Sequence, residues 1–355
     1  MGNAIDSIIK KYMVAGYFPG AVCKVSVRGE VIYEKSFGYG SLEPVLVPAN
    51  EKMVFDAASL TKIVTSTVAL MLITDNKMKL EDPVLNYFAE AADYPALTER
   101  LKDVTVKNLL THSSGLIDWY PFYSEKGTFL QVLNEITGRT EKVKGVLYSD
   151  LNFMLLGEMI KRIIGMGLDE ALEQYIRIPL GIDNMNYCPK DKLNIACTEF
   201  GNRIEKSMCK DRNISFDGWR AENLPICGEV NDGNAFYYFG GMSGHAGIFS
   251  DADGFTNICQ LYLMGGEWRS KRLIEERLVK EAMKEQKDGR GLGWQISEIF
   301  PQGCGHSGFT GTSLWLCPEM DIVAVTLTNR LHTRQPRNLQ PFRQELHEAI
   351  LNQLK

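Results

Sequence analysis

The stretch FDAASLTKIVTSTVALMLI, Phe55 to Ile73, admits few folds. From Ile63 to Ile73 its only polar side chains are Thr65, Ser66 and Thr67. A helix that is apolar on every face has to be wrapped by other elements on all sides. The chain has material for this, with 355 residues of which 45% are hydrophobic and 23% charged. Lys62 sits near the start of this helix and Ser59 lies three positions earlier, so their side chains share one face. An isolated buried ammonium is costly, so Lys62 must be paired, neutralised or used.

The elements around this helix follow from local patterns. An amphipathic first helix (Ile5, Ile8, Ile9, Tyr12, Met13) leads into AVCKVSVRGEVIYEKSFGYGS, two strands turning at Arg28-Gly29. TVKNLLTHSSGL predicts a short helix with Thr105 as cap and Gly115 as stop. YSDLNFMLLGEMIKRIIG predicts an amphipathic helix that begins at Ser149 or Asp150 and ends at Gly165. Further on, a helix capped by Ser250 with Asp253 in the capping-box position follows the glycine-dense FGGMSGHAGIFS. GLGWQI and the two halves of GHSGFTGTSLWLCPEMDIVAVTLTNR read as strands, and a helix from about Pro341 to Leu354 closes the chain. Strands at both ends with helices between them predict an α+β fold, an antiparallel sheet flanked by helices. Residues 1–74 plus 236–355 form an α/β sandwich domain in this reading, and 75–235 an inserted, mainly helical domain.

Several function classes drop out. A net charge of −5 and the absence of a Lys/Arg run leave no footprint for nucleic acid. No apolar stretch approaches the roughly 18 residues a membrane-spanning helix needs. The eight cysteines show no CxxC and no histidine at zinc-ligand spacing, so no metal is expected. They read as free thiols of a reducing compartment, which with no convincing signal peptide predicts a cytoplasmic protein; a secreted form whose leader has been removed is the alternative. GRGLGW precedes a strand rather than a helix and is not read as a nucleotide loop. No cofactor is expected, and a small soluble substrate is the default partner.

Ser-x-x-Lys occurs three times, at Ser7–Lys10, Ser59–Lys62 and Ser207–Lys210. Only the middle copy joins a preceding loop, a helix start and an apolar continuation. A serine at a helix N-terminus has backbone N–H groups and the positive end of the helix dipole beside it, which favours a developing oxyanion. A rise of about 1.5 Å per residue puts Lys62 about 4.5 Å along the axis from Ser59. Burial is expected to lower the lysine pKa, so that it can take the hydroxyl proton. The competing reading is a helix cap and a snorkelling lysine.

This segment resembles the nucleophile motif of the serine penicillin-recognising enzymes: class C β-lactamases, serine D,D-peptidases, D-aminopeptidases and carboxylesterases of the same fold. YSDLNFMLLG resembles their Tyr-x-Asn motif, with Tyr148 as the tyrosine. GHSGFTG resembles the third motif, with His306-Ser307-Gly308 standing for Lys-Thr-Gly, and LLTHSSGL and GGMSGHAGIFS resemble supporting loops. The similarity runs from FPGAV at 18–22 to the final helix. It implies a β-lactamase/transpeptidase-like fold and a catalytic set of Ser59, Lys62 and Tyr148. Tyr148 and Lys62 would share one proton and relay it between Ser59, the leaving group and water. The N–H groups of Ser59 and Phe309 would form the oxyanion hole. His306 and Ser307 would grip the polar end of the substrate, and Gly308 would let it approach the strand closely.

Two departures matter. Asp150 stands where the family most often has Asn, so an acceptor-only anion replaces an amide; it could favour amine-bearing substrates, keep Lys62 protonated or cap the helix. Asn152, one turn on, could supply the missing amide. His306 in place of Lys makes that charge switchable, which argues against an efficient β-lactamase. Asp232 and Asn234 are further candidates for touching substrate. His245 borders the cleft or is structural, His112 fixes its loop, and His332 and His347 read as surface residues. The expected activity is serine hydrolysis of an amide or ester through an acyl-enzyme on Ser59. Within it, D,D-peptidase-like or weak β-lactamase activity comes first and carboxylesterase second. β-Lactams would be slow substrates or covalent inhibitors. The non-enzyme rival is a peptide or β-lactam sensor that acylates without turnover.

Overall fold

The computed structural model describes residues 2–355. Helix α1 (Gly2–Val14) is followed by β1 (Gly20–Val27), β2 (Glu30–Ser41), β3 (Val47–Pro48) and β4 (Phe55–Asp56). A single 3-10 turn, Ala58–Leu60, runs directly into α2 (Thr61–Thr74). The middle of the chain holds α3 (Val106–Leu110), α4 (Asp150–Ile164), shorter helical pieces and β5 (Met185–Tyr187). Then come β6 (Ile248–Ser250), α5 (Ala252–Leu263), β7 (Cys304–Ser307), β8 (Ser313–Cys317), β9 (Ile322–Thr328) and α6 (Gln340–Leu354).

Six strands form one antiparallel sheet in the order β3-β2-β1-β9-β8-β7. The two ends of the chain meet at its centre, where Ala21 pairs with Thr328 and Val27 with Ile322. Period-two alternation sorts the faces. Ala21, Cys23 and Val25, with Trp315 and Ala324, pack against α1 and α6. Val22, Leu314, Leu316, Val323 and Val325 face the larger core that contains α2, α4 and α5. There α2 is buried from Thr61 through Leu72, as its apolar circumference requires. A small sheet, β4-β6-β5, links the Ser59 segment to the loop before α5.

The structure corrects several local expectations. Residues 291–296 form no strand; Gln295 pairs with Gly305 only as an isolated bridge, and Gly293 lies at φ 84° with its backbone against Ser66. Helix α3 ends at Leu110 and is followed by His112 in the left-handed region (φ 55°), before the expected stop at Gly115, which lies at φ 83° in the loop beyond. The cap of α5 is Asp251, whose carboxylate accepts from the Gly254 N–H at 3.1 Å. Asp253 is drawn away to Lys24, a buried cation in β1, and to Lys52. His332 and His347 are buried and pinned to the carbonyls of Thr198 and Ile299, because each offers a ring N–H that irregular backbone can use.

One backbone contact sets the position of the loop beside Lys62. Gly157 of α4 lies against Gly244, so that a Cβ on Gly157 would meet the Gly244 nitrogen at 2.9 Å. In an exposed helix Gly→Ala gains about 1 kcal/mol. Here Gly157→Ala is expected to lose about 1–3 kcal/mol by overpacking, read as a lower urea midpoint; a raised midpoint would show that the loop yields freely.

Candidate active site

Ser59 sits in the turn between β4 and α2, and the turn is held from several directions. Ala58 before it takes φ 47°, a left-handed conformation that costs a β-carbon residue about 1–2 kcal/mol. The Asp56 carboxylate restrains it by accepting from the N–H of Ala58 at 2.8 Å and of Asn231 at 2.6 Å. Burial pushes the Asp56 pKa up to about 6 against the pull of those two donors. From β7–β8, Thr310 and Thr312 donate to the carbonyls of Asp56 and Ala57 at 2.7 and 3.0 Å. Gly308 is needed for this stitching. A Cβ there would meet Thr312 Oγ1 at 2.1 Å and the Ala57 carbonyl at 2.7 Å, so protein atoms and not substrate use the space.

Lys62 is fully buried, and its Nζ lies 2.9 Å from Ser59 Oγ, 3.1 Å from the His245 main-chain carbonyl and 2.7 Å from Asp150 Oδ1. Burial disfavours its ammonium, but the charge of Asp150 and the neighbouring Tyr148 outweigh that, and the net shift is upward. This overturns the expectation of a lysine neutralised by burial. Asp150 supplies the reason: it is neither cap nor amide substitute but the counter-ion of Lys62.

Tyr148 brings its ring to 5.0 Å from Lys62 Nζ and packs between His112 and His306, at 4.6 and 5.9 Å between ring centres. It lines the cleft together with Ser59, Ser307 and Phe309. His306 is buried, its pKa driven well below the ordinary histidine value by burial and then by Lys62 and Arg290. It therefore presents a neutral ring, with Nδ1 on the Ser307 carbonyl, in place of the switchable cation expected from sequence.

The remaining candidates divide. Asn152 is fully buried behind the cleft, bonded to Ser114 Oγ and beside His112 Nδ1, so it replaces no substrate-facing amide. Asn234 is likewise consumed, accepting from the Phe122 N–H and donating to the Tyr120 carbonyl. His245 offers Lys62 its carbonyl while its ring bridges Ser243 and Asp232. Asp232 does reach the cleft, in a pocket with Ser59 and Asp150. Its carboxyl pKa is lowered: His245 and Lys62 overcome the opposing effect of burial. His112 holds its loop, accepting the Ser149 N–H at Nδ1.

Sequence reasoning missed Arg290, Arg330 and Arg343 on one side of Ser59, and Glu205 and Asn231 on the other. Arg290, Arg330 and Asn231 come from irregular segments, Arg343 from the closing helix and Glu205 from a short helix, Arg203–Asp211, not expected from sequence, and isolated single residues there carry no pattern that singles them out.

A family model described as "Beta-lactamase" matches residues 5–348. Over 93% of its length the chain is 29% identical to a Bacillus subtilis (strain 168) protein named N-acetylmuramyl-L-alanine amidase, covering 81% of that protein. It is 28% identical to an Escherichia coli O157:H7 protein named putative D-alanyl-D-alanine carboxypeptidase, over 93% of this chain and 82% of that one. The structure of a class C beta lactamase from Rhodobacter sphaeroides superimposes with a TM-score of 0.73 at 17% identity, covering 98% of this chain and 99% of the other.

Proposed function

This chain belongs to the beta-lactamase family and has its β-lactamase/transpeptidase-like fold, and from that premise we propose that it hydrolyses amide or ester bonds through an acyl-enzyme on Ser59. The observation that carries the proposal is the contact of Ser59 Oγ with the Lys62 ammonium at 2.9 Å, at the floor of an open cleft. Lys62 and Tyr148 act as one unit. The competent form lacks one proton, which the pair takes from Ser59 as Oγ bonds to the carbonyl carbon and then gives to the departing amine or alcohol. In the second half the pair deprotonates water, and the ester to Ser59 is cleaved. The N–H groups of Ser59 and Phe309 donate to no protein acceptor among the described residues, which leaves both for the oxyanion. The names of the relatives, an amidase and a putative carboxypeptidase, support peptide-like amides ahead of simple esters.

The test is covalent. After incubation with a fluorescent penicillin or a p-nitrophenyl ester, intact mass followed by peptide mapping is expected to find the acyl group on the peptide containing Ser59. Turnover with no adduct on that peptide under acid quench would overturn the assignment.

Asp150 gives a second prediction with a definite sign. Its carboxylate favours the protonated Lys62–Tyr148 pair. The raised pKa places the competent, deprotonated pair at the alkaline side. Asp150→Asn removes the favouring charge, so the acid limb of the kcat/KM profile should move to lower pH. A limb that stays in place, or moves up, would assign it to another group.

A further inference from the structure

Ser59 stands between two recesses of opposite charge. On one side a pocket of about 140 Å³ is lined by Asp150, Glu205, Asn231 and Asp232, with Trp119 and Met208 as apolar wall. No Lys or Arg is among its lining residues. Asn231 is 1% exposed, yet its Oδ1 has no hydrogen-bond partner among the described residues. Glu205 is buried, with its carboxyl held well above the usual range by burial and then by the charge of Asp232. Asp150 and Asp232 have Lys62 and His245 as neighbours, so what the pocket still offers a cationic donor is the free Asn231 acceptor beside the ionised Asp232 and the suppressed Glu205.

On the other side the cleft of about 590 Å³ is lined by Arg290, Arg330 and Arg343. None of the three lies in an ion pair among the described residues, whereas the half-buried Arg177 and Arg220 do. The Arg290 guanidinium lies 5.1 Å from the centre of the Tyr148 ring and donates no hydrogen bond among the described residues. Arg343, 6% exposed, donates to the carbonyls of Gly308 and Thr312, but its Nε is unpartnered, as is Nε2 of buried His306. Burial and the charge of Arg330 push Arg343 down to about 9. Guanidinium groups crowded without an acid are suited to bidentate capture of a carboxylate.

Resting on the serine-hydrolase reading above, we infer that the substrate is a short peptide with both ends free: its α-ammonium enters the Asp232–Glu205–Asn231 pocket and its terminal carboxylate the arginine cleft. Covalent geometry orients it. An α-nitrogen lies about 2.5 Å from its own carbonyl carbon, and a terminal carboxylate carbon a similar distance from the scissile nitrogen; because Ser59 lines both recesses, a dipeptide with its carbonyl at Ser59 carries one charged end on each side. The ammonium then marks the acyl side and the carboxylate the leaving side. Ser59 Oγ bonds to the carbonyl carbon, the C–N bond breaks, the leaving amine takes the proton, and water releases the first amino acid.

The experiment compares alanyl-alanine in L,L and D,D configuration in four forms: free, N-acetylated, C-amidated and doubly blocked. p-Nitrophenyl acetate, which carries neither charge, reports the Ser59 chemistry alone. Each block is expected to lower kcat/KM about ten- to hundredfold, the worth of one charge-assisted hydrogen-bonded contact. Arg290→Gln should collapse the acid-over-amide ratio toward one and leave the amine-over-acetyl ratio high, and Asp232→Asn, which removes the ionised carboxylate of the acidic pocket, should do the reverse. Asp232→Asn also touches the fold, through the Ala235 N–H and the His245 ring that Asp232 holds, so the Arg290 variant keeps the test decisive if it unfolds. Blocked forms cleaved as fast as the free peptide would overturn the inference while ester turnover upholds the hydrolase. Free-peptide cleavage that EDTA abolishes and Zn²⁺ restores would give the acidic pocket, where the ligand atoms of Asp150, Asp232 and His245 lie within 4.8 Å of one another, to a metal and overturn it too. No turnover of p-nitrophenyl acetate and no acyl adduct would end the underlying reading itself.

Discussion

Ser59→Ala is expected to lower turnover by about 10⁴–10⁶-fold while the protein stays folded. The side chain of Ser59 touches one protein group, the Lys62 ammonium, which keeps two other oxygens at 2.7 and 3.1 Å when Oγ is removed. The stability cost is therefore that of one hydrogen bond, about 1 kcal/mol. The turn around it is held by Asp56, Thr310 and Thr312 through main-chain contacts that the substitution leaves alone. Burst and steady-state kinetics on a p-nitrophenyl ester, alongside a thermal melt, separate the two quantities. A variant that retains even a hundredth of the wild-type rate on a clean substrate would remove Ser59 from the role of nucleophile.

Lys62→Met combines two large effects that a second substitution can separate. The thioether fills much of the same volume, but Asp150 is left beside a buried apolar group with no counter-ion. Breaking such a pair typically costs about 3–5 kcal/mol; the Asp150 side chain is 18% exposed, so the lower end, about 3 kcal/mol, is expected. Turnover should fall close to the Ser59→Ala floor, because groups that act as a unit lose nearly everything when one is removed. Adding Asp150→Asn to Lys62→Met should recover most of the stability and none of the rate. Urea denaturation of the single and double variants measures the first, ester kinetics the second. A double variant as unstable as the single one would mean that the loss comes from packing, not from the orphaned carboxylate. A rate that returns with stability would make Lys62 a structural residue.

Elements whose cause is local were legible residue by residue. The Arg28-Gly29 hairpin, the Thr105 cap, the helix from Asp150 to Gly165 and the burial of α2 all follow from periodicity and turn chemistry within a few positions, and they stand as expected. Expectations failed where a distant partner intervened. Lys24 and Lys52 take Asp253 from its helix terminus, and β7 holds residues 291–296 by a bridge too short to make a strand. His332 and His347 looked like surface residues because nothing near them in sequence reveals the carbonyls that bury them.

The site divides along the same line. The proximity of Ser59 and Lys62 is a property of any helix turn, three residues and one face, so the amino-acid order alone determined it. Tyr148, His306 and Phe309 came into view only through their likeness to motifs in related chains. Tertiary structure alone decided the ionisation of Lys62, because an ammonium in a dry interior is held by whichever charge the fold sets beside it, here Asp150 at 2.7 Å. It alone also made one cleft acidic on one flank and basic on the other. Glu205, Asn231, Arg290 and Arg343 lie far apart along the backbone, and electrostatic energy depends on distance through space rather than on position in the chain.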